Sequence, residues 1–451
     1  MGRNQGKSLS SPHHIQRETE MDSQVSDGEK DRIRQIASLL YEASRPIRIL
    51  KTIAWSAEVK EEFFANKAQE LPKVTYTPID PTITLEAVRE ARRSIVPISP
   101  IDLWLERQAN SLELAARMLS PSVVGDNAFF EYSRQLYGEP TTPLRYCPIT
   151  PLELSQSICD TIDQLAHIEM DIATPEYHTA EEVAGDIERA VQKHFGEDAP
   201  KVELVDKLSA NALATASTIK IRREACFTDR DASQLLNHEA YIHVTTSLNG
   251  KAQTDLPILA AGHPGTTRTQ EGLAVYAEIV SGSMELDRLR RLADRVFAIQ
   301  MAVEGADFLE VYRYFLERVG NPDQAFENAR RVFRGGDIKG GAPFTKDVVY
   351  LFGLLGVSSA IRTFFAAGRS DCLALLFCGK LDFMDIPALC ELYEIGLCQA
   401  PRHLPPWVRD PRYLLSLLTY SIFMNKIEME PLVAVANKLL ESAPVVKLFR
   451  D

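Results

Sequence analysis

The sequence lacks an excess of positive charge, cysteine pairs at metal-cluster spacing and an apolar N-terminal segment. Its net charge of −12 argues against a general nucleic-acid binder or a protein that binds anionic membranes. The seven cysteines include no CxxC pair, so no zinc cluster is expected, and the four within 372–398 are predicted to be buried thiols. Because the N-terminus shows no signal-peptide pattern, we expect a cytoplasmic chain.

Long apolar runs and phosphate-binding loops are also missing. The longest apolar run, at 348–361, is interrupted by glycines and serines and followed by Arg362, so it is predicted to be too short to span a bilayer. The stretch RGGDIKGGAP at 334–343 lacks the G-x-x-x-x-G-K-[ST] order of a phosphate-binding loop. Nucleotide binding is therefore not expected, and a flexible loop is the better interpretation.

What is present is the composition of a globular protein. The chain has 451 residues, of which 45% are hydrophobic and 25% are charged, enough to bury a sizeable core. Apolar residues at three- and four-residue spacing predict helices along most of it. Strand signals are confined to KVELVD (201–206) and STIKIRREACF (217–227). We therefore predict a mostly α-helical α+β fold with a small sheet.

Composition and pattern divide the chain into four parts. Residues 1–27 are polar and predicted to be a disordered tail. Residues 28–195 form a helical N-terminal region, 196–300 a catalytic core, and 301–451 a helical C-terminal region that completes the active-site cleft.

The stretch 229–250 carries the residues with the clearest chemistry. It contains His238, Glu239 and His243, and Glu271 follows downstream. Two imidazoles and a carboxylate form the ligand set of a catalytic zinc, whose fourth position stays open to water. Zinc lowers the pKa of that water to about 7, and a free carboxylate beside a ligand can accept its proton.

The spacing of the two histidines leaves two interpretations open. On a regular helix, residues 238 and 243 would point roughly 140° apart. Glu239 and His243 would instead share a face, as in an ordinary acid–imidazole pair. A metal site requires a local π-bulge, which absorbs one residue within a helix and tends to occur at functional sites.

Flanking residues suggest how the helices begin. Thr228 is predicted to cap the helix that carries the histidines. Residues 257–268 are predicted to be a loop, which places Glu271 in the first turn of the next helix, where the helix dipole would lower its pKa. His263, in this loop, is a rival third ligand or a residue that faces the substrate.

Four ordered motifs resemble those of the QEGLA-motif protein family, which includes the microtubule-associated tyrosine carboxypeptidases. They are HExxxH at 238–243, T-x-E-G-L-A at 269–274, R-x-x-R-G at 331–335 and F-T-K-D-x-x-Y-L at 344–351. The resemblance covers most of the chain and implies a zincin-like metallopeptidase core. It also implies one zinc held by His238, His243 and Glu271, with Glu239 as general base. The sequence QEGLA at 270–274 resembles the form of this motif in the bacterial-type branch of the family. For that branch the resemblance implies no particular substrate.

A carboxypeptidase must also hold a terminal carboxylate, for which arginine is best suited. The candidate substrate-binding residues are basic side chains and the loop histidine: Arg222, Arg223, Arg331, Arg334, Lys346 and His263. The resemblance places Arg331, Arg334, Lys346 and Tyr350 at matching motif positions. Tyr350 could donate a hydrogen bond to the tetrahedral oxyanion, or simply pack.

We therefore expect a zinc metallocarboxypeptidase that acts on the C-terminus of a peptide or protein and releases tyrosine or another aromatic residue. One alternative is an Fe(II) oxygenase with the same two-histidine, one-carboxylate ligands. Another is a regulatory protein with a vestigial site. Neither nucleic acid nor membrane is an expected partner, and the oligomeric state is open.

Overall fold

The computed structural model describes residues 25–143, 148–165, 177–206, 208 and 211–442. Most of the predicted tail (1–24) and Cys147 lie outside these described residues. The chain is mostly helical with a small sheet, which confirms the predicted α+β, mostly α-helical class. The four-part division of the chain remains a prediction.

The first part of the chain forms helices with apolar stripes that meet in a common core. These are α1 (Asp27–Ser44), α2 (Ile49–Thr52), α3 (Ala57–Ala65), α4 (Thr82–Arg93), α5 (Pro100–Met118), α6 (Asn127–Tyr137) and α7 (Pro151–Leu165). In α1, residues three and four apart, such as Ile33, Ile36 and Leu40, are buried on one face. That face packs against α4 and α5, where Trp104 and Leu105 belong to the same core.

Two small sheets follow. Strand β1 (Tyr177–His178) pairs antiparallel with β5 (Phe227–Thr228), and β2 (Lys201–Val205), β3 (Ala212–Ala214) and β4 (Thr218–Arg222) form the second sheet. Its order is β2-β4-β3, with β2 parallel and β3 antiparallel to β4. Alternate residues of a strand share a face, and Ile219 and Ile221 of β4 are buried in a cluster with α8 (Ala180–Phe195). Strands β2 and β4 confirm the two predicted strand segments, and β3 lies at the sheet edge.

The second half of the chain is helical. Its elements are α9 (Asp229–Leu235), a π-helix (Leu236–Val244), α10 (Thr245–Ala252), α11 (Pro264–Val280), α12 (Leu286–Val303), α13 (Phe308–Val319), α14 (Pro322–Phe333), α15 (Val349–Ala366), α16 (Ser370–Leu375), α17 (Ile386–Glu394), α18 (Pro406–Arg409), α19 (Arg412–Met424) and α20 (Glu430–Ser442). Short 3₁₀ turns at Pro257–Ala260 and Lys346–Val348 precede α11 and α15.

The predicted loop at 257–268 is wrong. A 3₁₀ turn occupies Pro257–Ala260, and α11 already begins at Pro264, capped by His263. Proline at the first helical position favours a helix start, because its φ is already helical. Glu271 therefore lies about two turns inside α11 rather than in its first turn.

The prediction that the apolar run at 348–361 is too short for a membrane span is also wrong on length. The helix runs from Lys346 to Ala366 and is long and apolar enough to cross a membrane by length and composition alone. Half of its apolar window is buried within the protein. It packs along α11, which is the environment of a core helix.

Three of the four cysteines within 372–398 are buried, as predicted, and Cys390 is half-buried. Asp371, Cys372 and Cys390 have side-chain atoms close enough to share a metal ion. Arg369 already donates to both carboxylate oxygens of Asp371, so this cluster has an internal counter-ion.

Two glycines allow α11 and α15 to touch backbone to backbone. A Cβ at Gly272 would lie 2.3 Å from the carbonyl carbon and oxygen of Gly353, and a Cβ at Gly353 would lie 2.1 Å from the carbonyl oxygen of Arg268. Backbone atoms cannot move aside as a flexible side chain can. This contact therefore sets the distance between the helix that carries Glu271 and the turn that carries Lys346.

We predict that Gly272→Ala lowers the free energy of unfolding by about 1–3 kcal/mol or more, because the added methyl overpacks the contact between the two helices. Urea unfolding is the measurement. Gly185→Ala in α8 is the matched control, since a Cβ there meets only the end of Arg189 at 3.5 Å. Helical glycine-to-alanine changes at such open positions stabilise by about 0.5–1 kcal/mol. Equal stability of Gly272→Ala and the parent would contradict the role of this contact.

Candidate active site

The helix that carries the two histidines is a π-helix from Leu236 to Val244. Thr228 caps the preceding α9 and shares a capping box with Asp231, as predicted. In a π-helix the hydrogen bonds run from residue i to i+5, so residues five apart share a face. The rings of His238 and His243 accordingly lie together, with centroids 5.0 Å apart. The structure confirms the predicted widening and contradicts the regular-helix alternative.

Glu271 of α11 faces both imidazoles. Its Oε2 lies 3.8 Å from His238 Nε2 and 3.9 Å from His243 Nε2. One ligand atom from each of these three residues lies within 4.8 Å of the others. Two imidazole nitrogens and a carboxylate oxygen converging in this way fit the donor set of a three-ligand zinc site.

The ionised state of Glu271 does not depend on a helix dipole. Burial by itself would raise the pKa of this carboxyl, but Lys346 and the two imidazoles outweigh burial and hold the pKa well below its usual range. Lys346 Nζ donates to Glu271 Oε1 at 2.9 Å. One carboxylate oxygen is thus held by a cation, and the other faces the histidines.

His238 is oriented by a carboxylate that the sequence analysis did not assign. Its Nδ1 lies 2.7 Å from Glu278 Oε1, which leaves Nε2 toward Glu271. Arg288 donates to both oxygens of Glu278 at 3.1 Å. Burial raises the pKa of Glu278, but Arg288 and His238 lower it to about 2. A carboxylate behind a histidine fixes its tautomer and ring orientation. The only sequence signal was an acidic residue in the otherwise apolar segment LAVYAEIV.

His243 is the more readily deprotonated of the pair. Burial and the neighbouring His238 lower the pKa of His243 to about 3. A neutral imidazole has a nitrogen lone pair available, which is the state that binds metal.

Glu239 lies beside this cluster and is fixed by the sheet. The Ala214 N–H of edge strand β3 donates to Glu239 Oε2 at 3.1 Å. Burial raises the pKa of Glu239, and His238 only partly offsets this. A carboxylate with a raised pKa binds a proton more readily at neutral pH, as a general base must.

Most of the predicted substrate-binding cations already have partners. Arg331 donates to both oxygens of Asp347, at 2.6 and 2.9 Å, and to the Tyr350 hydroxyl at 3.4 Å. Lys346 holds Glu271. These motif residues therefore form an internal ionic network, and the Tyr350 hydroxyl faces Arg331.

The other three arginine candidates differ in their surroundings. Arg222, at the end of β4, donates to the Asn211 side chain at 2.7 Å, and Arg223 pairs with Asp206. Arg334 is stacked 5.6 Å from the centroid of the Phe344 ring, and burial and Arg331 lower its pKa to about 10. The structure brings neither Arg222 nor Arg223 to the histidines.

Lys380 is a cation near the site that the sequence analysis missed. Its ammonium has no ion pair within the described residues. Burial lowers the pKa of Lys380, and the nearby carboxylates of Glu271 and Glu239 only partly offset this. A Cβ at Gly262 would lie 3.4 Å from Lys380 Cδ and 3.8 Å from Nζ. The backbone N–H of Lys380 donates to the Leu259 carbonyl at 2.7 Å, which holds the Lys380 backbone in place. No motif surrounds it.

His263 stands apart from the three converging residues. It caps α11, with the Gly265 N–H donating to its Nδ1 at 3.2 Å. It also lines a cavity of about 320 Å³ that includes Tyr137, Thr267 and Lys346. The structure thus places His263 in a cavity wall next to the residue that holds Glu271.

Comparison with known proteins is consistent with the four motifs. No individual curated protein matches the chain. A family model described as microtubule-associated tyrosine carboxypeptidase matches residues 61–426, which include all four motifs and most of the chain. This match confirms the resemblance found in the sequence. The chain belongs to the microtubule-associated tyrosine carboxypeptidase family.

Proposed function

We propose that this protein is a zinc-dependent carboxypeptidase that removes the C-terminal residue, preferentially tyrosine, from a peptide or protein. The observation that carries the proposal is the convergence of His238, His243 and Glu271 from a π-helix and α11, with Glu239 beside them. Membership of a family described as tyrosine carboxypeptidases supports the reaction and the released residue.

His238, His243 and Glu271 would hold the zinc in a zincin-like core. When bound there, zinc would lower the pKa of a water molecule and polarise the scissile carbonyl. The pairing of Glu278 with His238 keeps Nε2 available, and Lys346 leaves one oxygen of Glu271 free to bind.

In this proposal Glu239 moves the proton. It would accept a proton from the attacking water as the C–O bond forms, and return it to the amine as the peptide C–N bond breaks. Its hydrogen bond from Ala214 fixes one carboxylate oxygen and leaves the other for this task.

Edge strand β3 is suited to hold an extended substrate. It lies at the border of its sheet, and Ala214 connects it to Glu239. An extended peptide can add to a sheet edge through main-chain hydrogen bonds. Such pairing would lay the substrate chain beside the general base.

Lys380 is the residue best placed to hold the terminal carboxylate. Arg331 and Lys346 are paired with Asp347 and Glu271, whereas Lys380 has no ion pair in the described part of the chain. A desolvated carboxylate without a partner is very costly, so an exopeptidase needs such a cation.

The first prediction concerns the general base. Glu239→Gln is expected to lower kcat by roughly 10²–10⁴-fold, because a neutral amide cannot accept the proton. Metal analysis of the same preparation should find zinc at the parent level, which also tests the Fe(II) alternative. Glu317→Gln, an exposed position on α13, is the matched control and should retain full activity. Turnover of Glu239→Gln at the parent rate would reject this mechanism.

The second prediction concerns the terminal carboxylate. The parent is expected to favour a free-acid peptide over its C-terminal amide by about one to two orders of magnitude in kcat/KM, the effect of a charge-assisted hydrogen bond. Lys380→Met should remove most of this preference by slowing only the free acid. Lys251→Met, an exposed lysine on α10, is the control.

Two outcomes separate the parts of this proposal. Equal cleavage of acid and amide by the parent would leave zinc hydrolysis standing and reject the carboxypeptidase. A preference that survives Lys380→Met would move the carboxylate-binding role to another cation, with Arg334 as the next candidate.

A further inference from the structure

The cavity of about 320 Å³ lies beside the start of α11. Lys346 lines it and also holds Glu271. Thr267 lies one turn before Glu271 on the same helix, and His263 a further turn away. His263 and Glu271 are eight positions apart, a separation of about 12 Å along a helix at 1.5 Å per residue. Ligand cavities are commonly about 300–1,000 Å³, so this one suits a single large side chain.

The walls of the cavity combine apolar side chains with the basic side chains of Arg48, Lys51 and Lys346. Ile47 and Tyr137 are buried residues that line it, and Pro264 closes the side formed by α11. Ile47 belongs to the segment before α2, which lies outside the family match at 61–426. The cavity is therefore completed by a part of this chain that the family model does not cover.

His263 contributes an imidazole to these walls. The Gly265 N–H is shared between Ser111 Oγ at 2.8 Å and His263 Nδ1 at 3.2 Å, and Ser111 Oγ lies 3.2 Å from the same nitrogen. With Nδ1 as an acceptor, the proton of the neutral ring is on Nε2. Burial lowers the pKa of His263 to about 4, so the ring is neutral at physiological pH.

The Nε2 donor of His263 has no hydrogen-bond partner among the described residues, although the side chain is only 4% exposed. Buried donors in folded proteins are nearly always paired, and an exception calls for an explanation. A partner supplied by the substrate would satisfy it. A phenol hydroxyl is suitable, since tyrosine has an apolar ring and a polar tip that seeks a partner when buried.

We propose that this cavity receives the side chain of the substrate's C-terminal residue and that His263 Nε2–H donates to the hydroxyl of a terminal tyrosine. The inference rests on the proposed carboxypeptidase function and deepens it by assigning the residue that distinguishes tyrosine from phenylalanine. A site that hydrogen-bonds a hydroxyl disfavours the analogue without it, because its own donor is then left unpaired.

Two substitutions separate the cap from the Nε2 donor. His263→Asn keeps an acceptor near Nδ1, so α11 stays capped, but removes Nε2. His263→Gln places an amide nitrogen near the Nε2 position but loses the cap. The probes are two peptides that differ only in ending with tyrosine or phenylalanine, and the readouts are kcat/KM and the thermal unfolding midpoint.

We expect the parent to favour the tyrosine peptide by about 3- to 30-fold, the range of a hydrogen bond to a neutral group and the cost of leaving its donor unpaired. His263→Asn should bring this ratio close to one while retaining turnover of the phenylalanine peptide and the parent unfolding midpoint. His263→Gln should keep much of the ratio and unfold at a lower temperature. If His263 only capped α11, His263→Asn would keep the parent ratio, and His263→Gln, which loses the cap, would be the variant with the altered ratio.

Binding of the same peptides to zinc-loaded Glu239→Gln, measured by calorimetry, makes the test independent of turnover. A tyrosine preference that disappears in Glu239→Gln combined with His263→Asn supports the cavity assignment even if the parent cleaves neither peptide, an outcome that would reject only the proposed function. Equal affinity for both peptides, or a preference that survives His263→Asn, would overturn the cavity assignment and leave the carboxypeptidase standing.

Discussion

The candidate site depends on a change of helical pitch. Two imidazoles five residues apart diverge on a regular α-helix, and they meet here because Leu236–Val244 is a π-helix. The hydrogen bonds of α9 and α10 continue on either side, so the widening is confined to the segment that carries the histidines. Packing against α11 supplies the third candidate ligand, Glu271, and Glu278 behind His238. Glu239, next to His238 in sequence, is left facing edge strand β3.

A chain of buried charges organises the same region. Lys346 holds Glu271, Arg331 holds Asp347, and Arg288 holds Glu278. Each pair joins two elements, so the ionic contacts fix how α11, α12, α14 and the turn before α15 are arranged. Buried pairs of this kind tolerate the loss of one partner poorly, because the remaining charge is left without compensation. These ion pairs give the motif residues Arg331, Lys346 and Asp347 a structural role in the site that does not depend on their binding substrate.

The cavity beside the candidate site is assembled from distant parts of the chain. Residues 47–51, the end of α6 and the start of α11 surround one cavity, and Lys380 lies beside Gly262, which is one of the lining residues. No local pattern links these segments, so only their packing shows which side chains share the cavity. Packing also brings the Lys380 ammonium, which has no ion pair in the described part of the chain, near Glu271 and Glu239. Zinc, the roles of individual residues and the cytoplasmic location remain predictions.

The sequence alone determined the helical class, strands β2 and β4, the capping of α9 by Thr228 and the residue types at the candidate metal site. These features depend on local periodicity, on hydrogen bonds within one turn and on motif order, all of which can be read along the chain. Tertiary structure decided which interpretation of the histidine spacing holds, where α11 begins and which cations are neutralised. Lys346 and Glu271 are 75 residues apart, and Ser111 and His263 are 152 apart. Such pairs form only when helices pack. The sequence could therefore identify basic residues near the motifs. It could not distinguish a lysine paired with a candidate metal ligand, such as Lys346, from one that has no ion pair among the described residues, such as Lys380.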